Sequence, residues 1–217
     1  MKTANEYVPR YFPIFFLLAR TGLRIGEAIA LQIGDLNFVN RLITVERNIV
    51  KGEVGLPKSN LTRQVDMSTQ LTRLLGEIVL DRKEQLLRLN LSVDELPSMW
   101  LFQNEAGKPM DDSKIRKAFA RVLLKAGLAQ RNLHFLRHTF ASLLIQQGES
   151  LAYVKEQMGH SSIDITVDTY GHLVPGGNRQ AVDKLDVSDQ IGMETKWKHF
   201  HKNEPLEEKA ALQLLEK

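Results

Sequence analysis

Six polar side chains of this chain sit at predicted element ends or in turns, where a rigid core can present them to a ligand. Arg24 opens a short helix in TGLRIGEAIALQ, Lys58 lies in the turn LPKSN, and His160 lies in the turn MGHSS. His134 and Arg137 stand three residues apart in LHFLRHTFA, so they share one helix face. Tyr170 ends the stretch DITVDTY. These residue types suit anion binding and proton transfer. Guanidinium forks grip oxyanions, imidazoles exchange protons near neutral pH, and a phenol becomes a nucleophile once its proton is taken.

Each residue alone has a plainer reading. Arg24 with Glu27 three residues on reads as a surface ion pair worth little. Lys58 reads as a solvated turn lysine. His134 and His138, at i and i+4, have the spacing of a metal-binding pair, but no carboxylate stands nearby and no metal site is expected. Tyr170 near a helix end reads as half-buried packing with a wet hydroxyl.

Periodicity and punctuation predict the elements that must position these groups. Tyr7 to Arg20 is apolar on several faces and reads as one largely buried helix, interrupted by Thr21-Gly22. Leu23 to Leu31 reads as a second, short helix with Ile25, Ala28 and Ile29 inward. Arg41 to Val50 (RLITVERNIV) alternates and is rich in β-branched residues, which predicts a strand; RQVDM, from Arg63 to Met67, is its partner. Turns fall at Lys51-Gly52 and from Pro57 to Asn60. Ser68 or Thr69 caps a long helix running to Leu89, and Asp111 or Asp112 caps a basic one, SKIRKAFARVLLKAG, that stops at Gly127. PSMWLFQ reads as a short extended segment between them. Three more helices are predicted from His134 to Gln147, from Ser150 to Met158 and from Ser162 to Tyr170. The expected fold is α+β: mainly helical with a small antiparallel β-sheet.

Pro175-Gly176-Gly177 breaks the chain, and the remainder is polar and charged. Its last stretch, Pro205 to Lys217, carries Leu206, Ala210, Leu214 and Leu215 on one face of a short amphipathic helix. The expected organisation is a domain over residues 1–185 and a tail over 186–217.

Composition bounds the chemistry further. The 217 residues suit one domain with a tail. The absence of cysteine excludes disulfides, thiol catalysis and cysteine-held zinc. A net charge of +3 permits a nucleic-acid partner without demanding one. The polar N-terminus leads into no secretory signal, and PIFFLLA is far too short to cross a bilayer. No membrane partner and a cytoplasmic location are therefore expected.

Taken together and in order, the motifs resemble one family. ARTGLRIGEAIAL is similar to the first arginine motif of the tyrosine recombinases of the phage-integrase type. LHFLRHTFASLLIQQG resembles their His-x-x-Arg motif, and EQMGHSSIDITVDTYGHL their Gly-His turn and nucleophilic tyrosine. LPKSNLTRQVDMS resembles the β-hairpin carrying their catalytic lysine, with Lys51 a nearby alternative to Lys58. The resemblance runs from about residue 10 to 185. It implies a catalytic domain that cuts and rejoins double-stranded DNA through a 3′-phosphotyrosine bond, with no cofactor and no metal. Tyr170 would attack the phosphodiester while Arg24 and Arg137 hold its nonbridging oxygens. His160 would add a hydrogen bond, His134 would take or orient the phenolic proton, and Lys58 would protonate the leaving 5′-oxygen. His138 is expected to serve the helix rather than the chemistry.

The resemblance also implies partners. Family members work as tetramers on DNA, and the chain alone is expected to be monomeric or weakly associated. They carry a helical core-binding domain before the first arginine motif; here Arg24 comes almost at the start, so that domain is expected to be absent. The tail after Tyr170 is expected to reach a neighbouring protomer or to fold back. A mobile genetic element is the expected setting. The alternatives are a type IB topoisomerase, which uses a similar residue set, and a DNA-binding remnant without turnover; the wording GLRIGEAIAL and MGHSSIDIT favours the recombinases.

Overall fold

A proline breaks the first predicted helix. Pro9 lacks the N–H to continue a helix, and Val8 before it leaves the helical region, with φ −141° and ψ 57°. The chain therefore forms α1 (Lys2–Tyr7), a 3-10 turn (Pro9–Tyr11) and α2 (Phe12–Thr21), with Pro13 accommodated in the first turn of α2. The computed structural model describes residues 1–57 and 62–173. Lys58 and the whole tail, with its predicted amphipathic helix, lie outside the described residues.

Helix α2 ends at Gly22, whose φ of +63° is left-handed. Space demands glycine there as well, because a Cβ would sit 2.5 Å from the Phe140 ring. The chain then turns into α3 (Ile25–Ile29). Next come β1 (Leu36–Asn37), β2 (Leu42–Val45), β3 (Asn48–Val50), β4 (Glu53–Gly55) and β5 (Arg63–Asp66). Strand β2 runs antiparallel to both β1 and β5, with Ile43 opposite Val65 and Val45 opposite Arg63. Ile43, Val45 and Val65 are fully buried, as the alternation predicts.

The single strand expected from Arg41 to Val50 is two strands in two sheets. Glu46 and Arg47 separate them, and β3 pairs with β4 instead. The Arg47 guanidinium is tied to Asp35 and Glu46 and donates to the Ala30 carbonyl, so the chain leaves the first sheet at that residue. The segment PSMWLFQ contributes a 3-10 turn (Leu96–Ser98) and a bridge from Trp100 to Gln32.

Helix α4 (Thr69–Arg88) is capped by Ser68 and α5 (Asp112–Lys125) by Asp111. Helices α6 (Phe135–Gln146), α7 (Leu151–Met158) and α8 (Ile163–Tyr170) follow, the last two capped by Ser150 and Ser162. The apolar side chains gather in two clusters. One joins α2, α3, the β1-β2-β5 sheet, α4 and α5. The other lies among α6, α7 and α8 and includes Ala141, Ile145, Val154, Met158 and Tyr170. Among the described residues no helix is long and apolar enough to cross a membrane.

Candidate active site

The seam between the two clusters is where the predicted residues meet. Arg24 is the N-cap of α3, and its backbone N–H donates to Glu27 at 2.9 Å. Glu27 also accepts from the Arg24 guanidinium at 3.0 Å. This is no surface ion pair, because the Glu27 side chain is wholly buried. Its second cation is Arg63 of β5, which donates to both carboxylate oxygens at 3.1 and 2.8 Å. Burial alone would raise the Glu27 pKa, but the bonds and charge of Arg63, then those of Arg24, leave it below the ordinary value. Glu27 stays ionised and holds two guanidiniums in fixed geometry.

Arg137 lies in the first turn of α6 and is buried. One nitrogen of its fork donates to the Gly22 carbonyl and the other to the Met158 carbonyl at 2.7 Å. Burial, then repulsion from Arg24, pushes its pKa down to about 9, which still leaves it cationic at neutral pH. Two guanidiniums therefore bond one carboxylate, a third feels its charge, and Arg24 and Arg137 line the cavity.

That cavity has a volume of about 390 Å³ and is lined by Arg24, His134, Arg137, Gly159, His160 and Ser161, with Ile165 at its edge. Gly159 ends α7 with φ +64°, and a Cβ there would meet the Arg63 guanidinium at 2.7 Å. The turn it permits brings His160 to the cavity wall. The His160 Nδ1 lies 2.9 Å from the hydroxyl of buried Thr166. Burial, then the charges of Arg137 and Arg24, pushes the His160 pKa down to about 4. A neutral imidazole keeps one N–H and one acceptor nitrogen, and with Nδ1 engaged by Thr166 the nitrogen left for a ligand is Nε2. His134 is likewise held below the ordinary histidine value, by burial first and then by His138 and Arg137. Such a site can bind a phosphoryl oxyanion and supply neutral imidazoles to it.

Tyr170 ends α8 and is only 4% exposed. Burial raises its pKa, with the charge of Arg137 acting the other way. Its hydroxyl is not in the cavity wall but lies 2.6 Å from Nδ1 of His138. Of the six predicted residues, the structure thus gathers Arg24, His134, Arg137 and His160 on one cavity and sets Tyr170 beside it. Sequence reasoning missed three others. Glu27 was read as a surface partner, Arg63 only as a strand residue, and His138 as a helix residue. The i, i+3 pairing of Arg24 with Glu27 was a signal for the first; nothing in the sequence marked Arg63, 36 residues away. Among the described residues no group of three histidine or carboxylate side chains is placed to hold a metal ion.

The model of the phage integrase family matches residues 2–175. The chain belongs to the phage integrase family. Members similar to it include a XerC-like tyrosine recombinase of Caldanaerobacter subterraneus, 31% identical over 80% of this chain and 48% of that protein. The ICEBs1 integrase of Bacillus subtilis is 34% identical over 81% of this chain and 48% of its own length. The chain therefore spans about half the length of the curated integrases it matches. A solved integrase from transposon Tn1549, in complex with transposon right-end DNA, has the same fold, with a TM-score of 0.63 at 22% identity. It covers 83% of this chain, which covers 59% of it.

Proposed function

We propose that this integrase-family chain is the catalytic module of a site-specific DNA recombinase. In this reading Tyr170 attacks a phosphodiester of double-stranded DNA, forming a 3′-phosphotyrosine bond and a free 5′-hydroxyl. Arg24 and Arg137 hold the nonbridging oxygens as charge builds on them, and His160 donates a further hydrogen bond. Lys58 protonates the leaving 5′-oxygen. The bond to Tyr170 conserves the energy of the cleaved linkage, so a second 5′-hydroxyl can attack it without a nucleotide cofactor.

The observation that supports this best is the convergence of Arg24, His134, Arg137 and His160 on one cavity beside Tyr170, from segments far apart in the chain. A second cavity of about 560 Å³ shares Gly159, His160 and Ser161 with the first and adds Arg63 and Lys155, with Glu156 beside them, so further cations stand next to the first cavity. The exposed basic face of α5, with Lys114, Lys117 and Arg121, offers further phosphate contacts. The transposon integrase of the same fold was solved with DNA. Recombination joins two duplexes, so four copies would assemble on DNA, in the compartment that holds it. The domain of residues 1–185 would supply the chemistry and residues 186–217 the contact between copies.

A nicked suicide duplex tests the reading, because loss of the short 5′ fragment traps the covalent adduct. The wild-type chain forms a protein–DNA adduct on it, and Tyr170→Phe forms none. An adduct that survives in Tyr170→Phe refutes the assignment.

A further inference from the structure

His138 follows Arg137 on α6 and is exposed. Its Nδ1 stands 2.6 Å from the Tyr170 oxygen, and among the described residues no other side chain bonds that oxygen. His134, the expected partner of the phenol, lies one turn back on the same helix. Its ring meets the His138 ring edge-on, with centroids 4.9 Å apart. The phenol is thus not among the groups lining the cavity, and the imidazole in contact with its oxygen is that of His138. Arg137 lies close enough for its charge to favour the phenolate.

We propose that His138, and not His134, is the catalytic base for Tyr170. The inference rests on the reading of Tyr170 as the nucleophile. As the phenolic oxygen attacks phosphorus, its O–H bond breaks and the proton passes to Nδ1 of His138. The P–O bond to the 5′-oxygen breaks on the other side, and that oxygen takes its own proton from the general acid. In the rejoining step the imidazolium returns the proton to the Tyr170 oxygen as it leaves. Exposure of the His138 ring lets it exchange protons with water between steps, while the buried phenol has no comparable outlet. His134 remains in the wall of the cavity proposed to hold the phosphate.

The test measures single-turnover adduct formation on the suicide duplex by the full chain. His138→Ala removes the base and opens a gap at an exposed position that free imidazole can enter. His138→Asn keeps a polar group near the Nδ1 position but no basic nitrogen. Both variants are expected to slow adduct formation by about 10²–10⁴-fold, the range for a positioned general base. Imidazole in solution is expected to accelerate His138→Ala in a concentration-dependent way and to leave the wild type unchanged. Equal DNA binding and circular dichroism confirm that the alanine variant is folded; should it not fold, the asparagine variant decides alone. A rate for His138→Asn within a few-fold of wild type overturns the proposal, since a hydrogen bond then suffices. A folded His138→Ala that is slow but unmoved by imidazole also overturns it. Failure of the underlying reading looks different: the wild type gives no adduct, or Tyr170→Phe retains one.

Discussion

Replacing Glu27 by glutamine removes one negative charge from a fully buried position while changing almost no volume. The carboxylate accepts four hydrogen bonds, from the Arg24 backbone, the Arg24 guanidinium and both ends of the Arg63 fork. An amide offers one oxygen and presents an NH2 where the other oxygen stood, so donors face donors. Arg24, Arg63 and Arg137 then repel one another with no counter-charge between them. Breaking a buried pair by removing one partner costs about 3–5 kcal/mol. For a domain of this size each kcal/mol moves the melting temperature by roughly 2–4 °C, so Glu27→Gln should melt about 6–20 °C below wild type. The pH dependence has a definite sign. The folded Glu27 pKa is lowered from 4.5, so its stabilisation is fully present above that value. It is lost as pH falls through the folded pKa, because the unfolded chain takes up the proton first. The gap between wild type and variant should therefore be widest near neutrality and shrink in acid below about 4.5. Differential scanning calorimetry at several pH values measures both quantities. A variant melting within 2 °C of wild type at neutral pH, by this reasoning about 0.5–1 kcal/mol, would refute the claim that one carboxylate holds the two guanidiniums in place.

Arg137→Lys should bind DNA but cleave it at least 10²-fold more slowly in single turnover, because a point charge cannot span the Gly22 and Met158 carbonyls and the phosphate together. Gly159→Ala should lose about 1–3 kcal/mol in chemical denaturation, since its φ of +64° is strained for alanine and its methyl meets Arg63; an unchanged midpoint would refute this. Lys58→Ala should cleave slowly on ordinary DNA yet regain its rate on a substrate whose leaving 5′-oxygen is replaced by sulfur, which departs without a proton. No such recovery would show that Lys58 is not the general acid.

What the sequence could reveal followed the range of its local rules. Ser68, Asp111, Ser150 and Ser162 cap helices as expected, because a cap bonds a backbone N–H two or three residues on. Arg24, His134, Arg137 and His160 were legible because turns and helix starts punctuate the chain around them. Arg63 was not, since its role depends on a strand register that sets it against a carboxylate 36 residues earlier. The bond from His138 to Tyr170 spans 32 residues and two helices, and spacing along one helix cannot report it. The break at Glu46 and Arg47 escaped for the same reason: the β-branched pattern runs through it, and the interruption comes from Asp35 on another segment.

The guanidinium of Arg137 is also a strut. It fastens the carbonyl that closes α2 to the carbonyl at the end of α7, and so stitches one apolar cluster to the other. Tyr170 in turn fills part of the second cluster with its ring. On the proposed function, mutations that abolish the activity by deleting one of these side chains will therefore tend to lower the protein's abundance as well. Few silent copies of such a gene should accumulate as folded bystanders competing for the same DNA. The exception is a change that trims a single oxygen, as Tyr170→Phe does. It leaves strut and ring in place, so a single nucleotide substitution would yield a folded copy that, on the proposed function, still occupies DNA without cutting it.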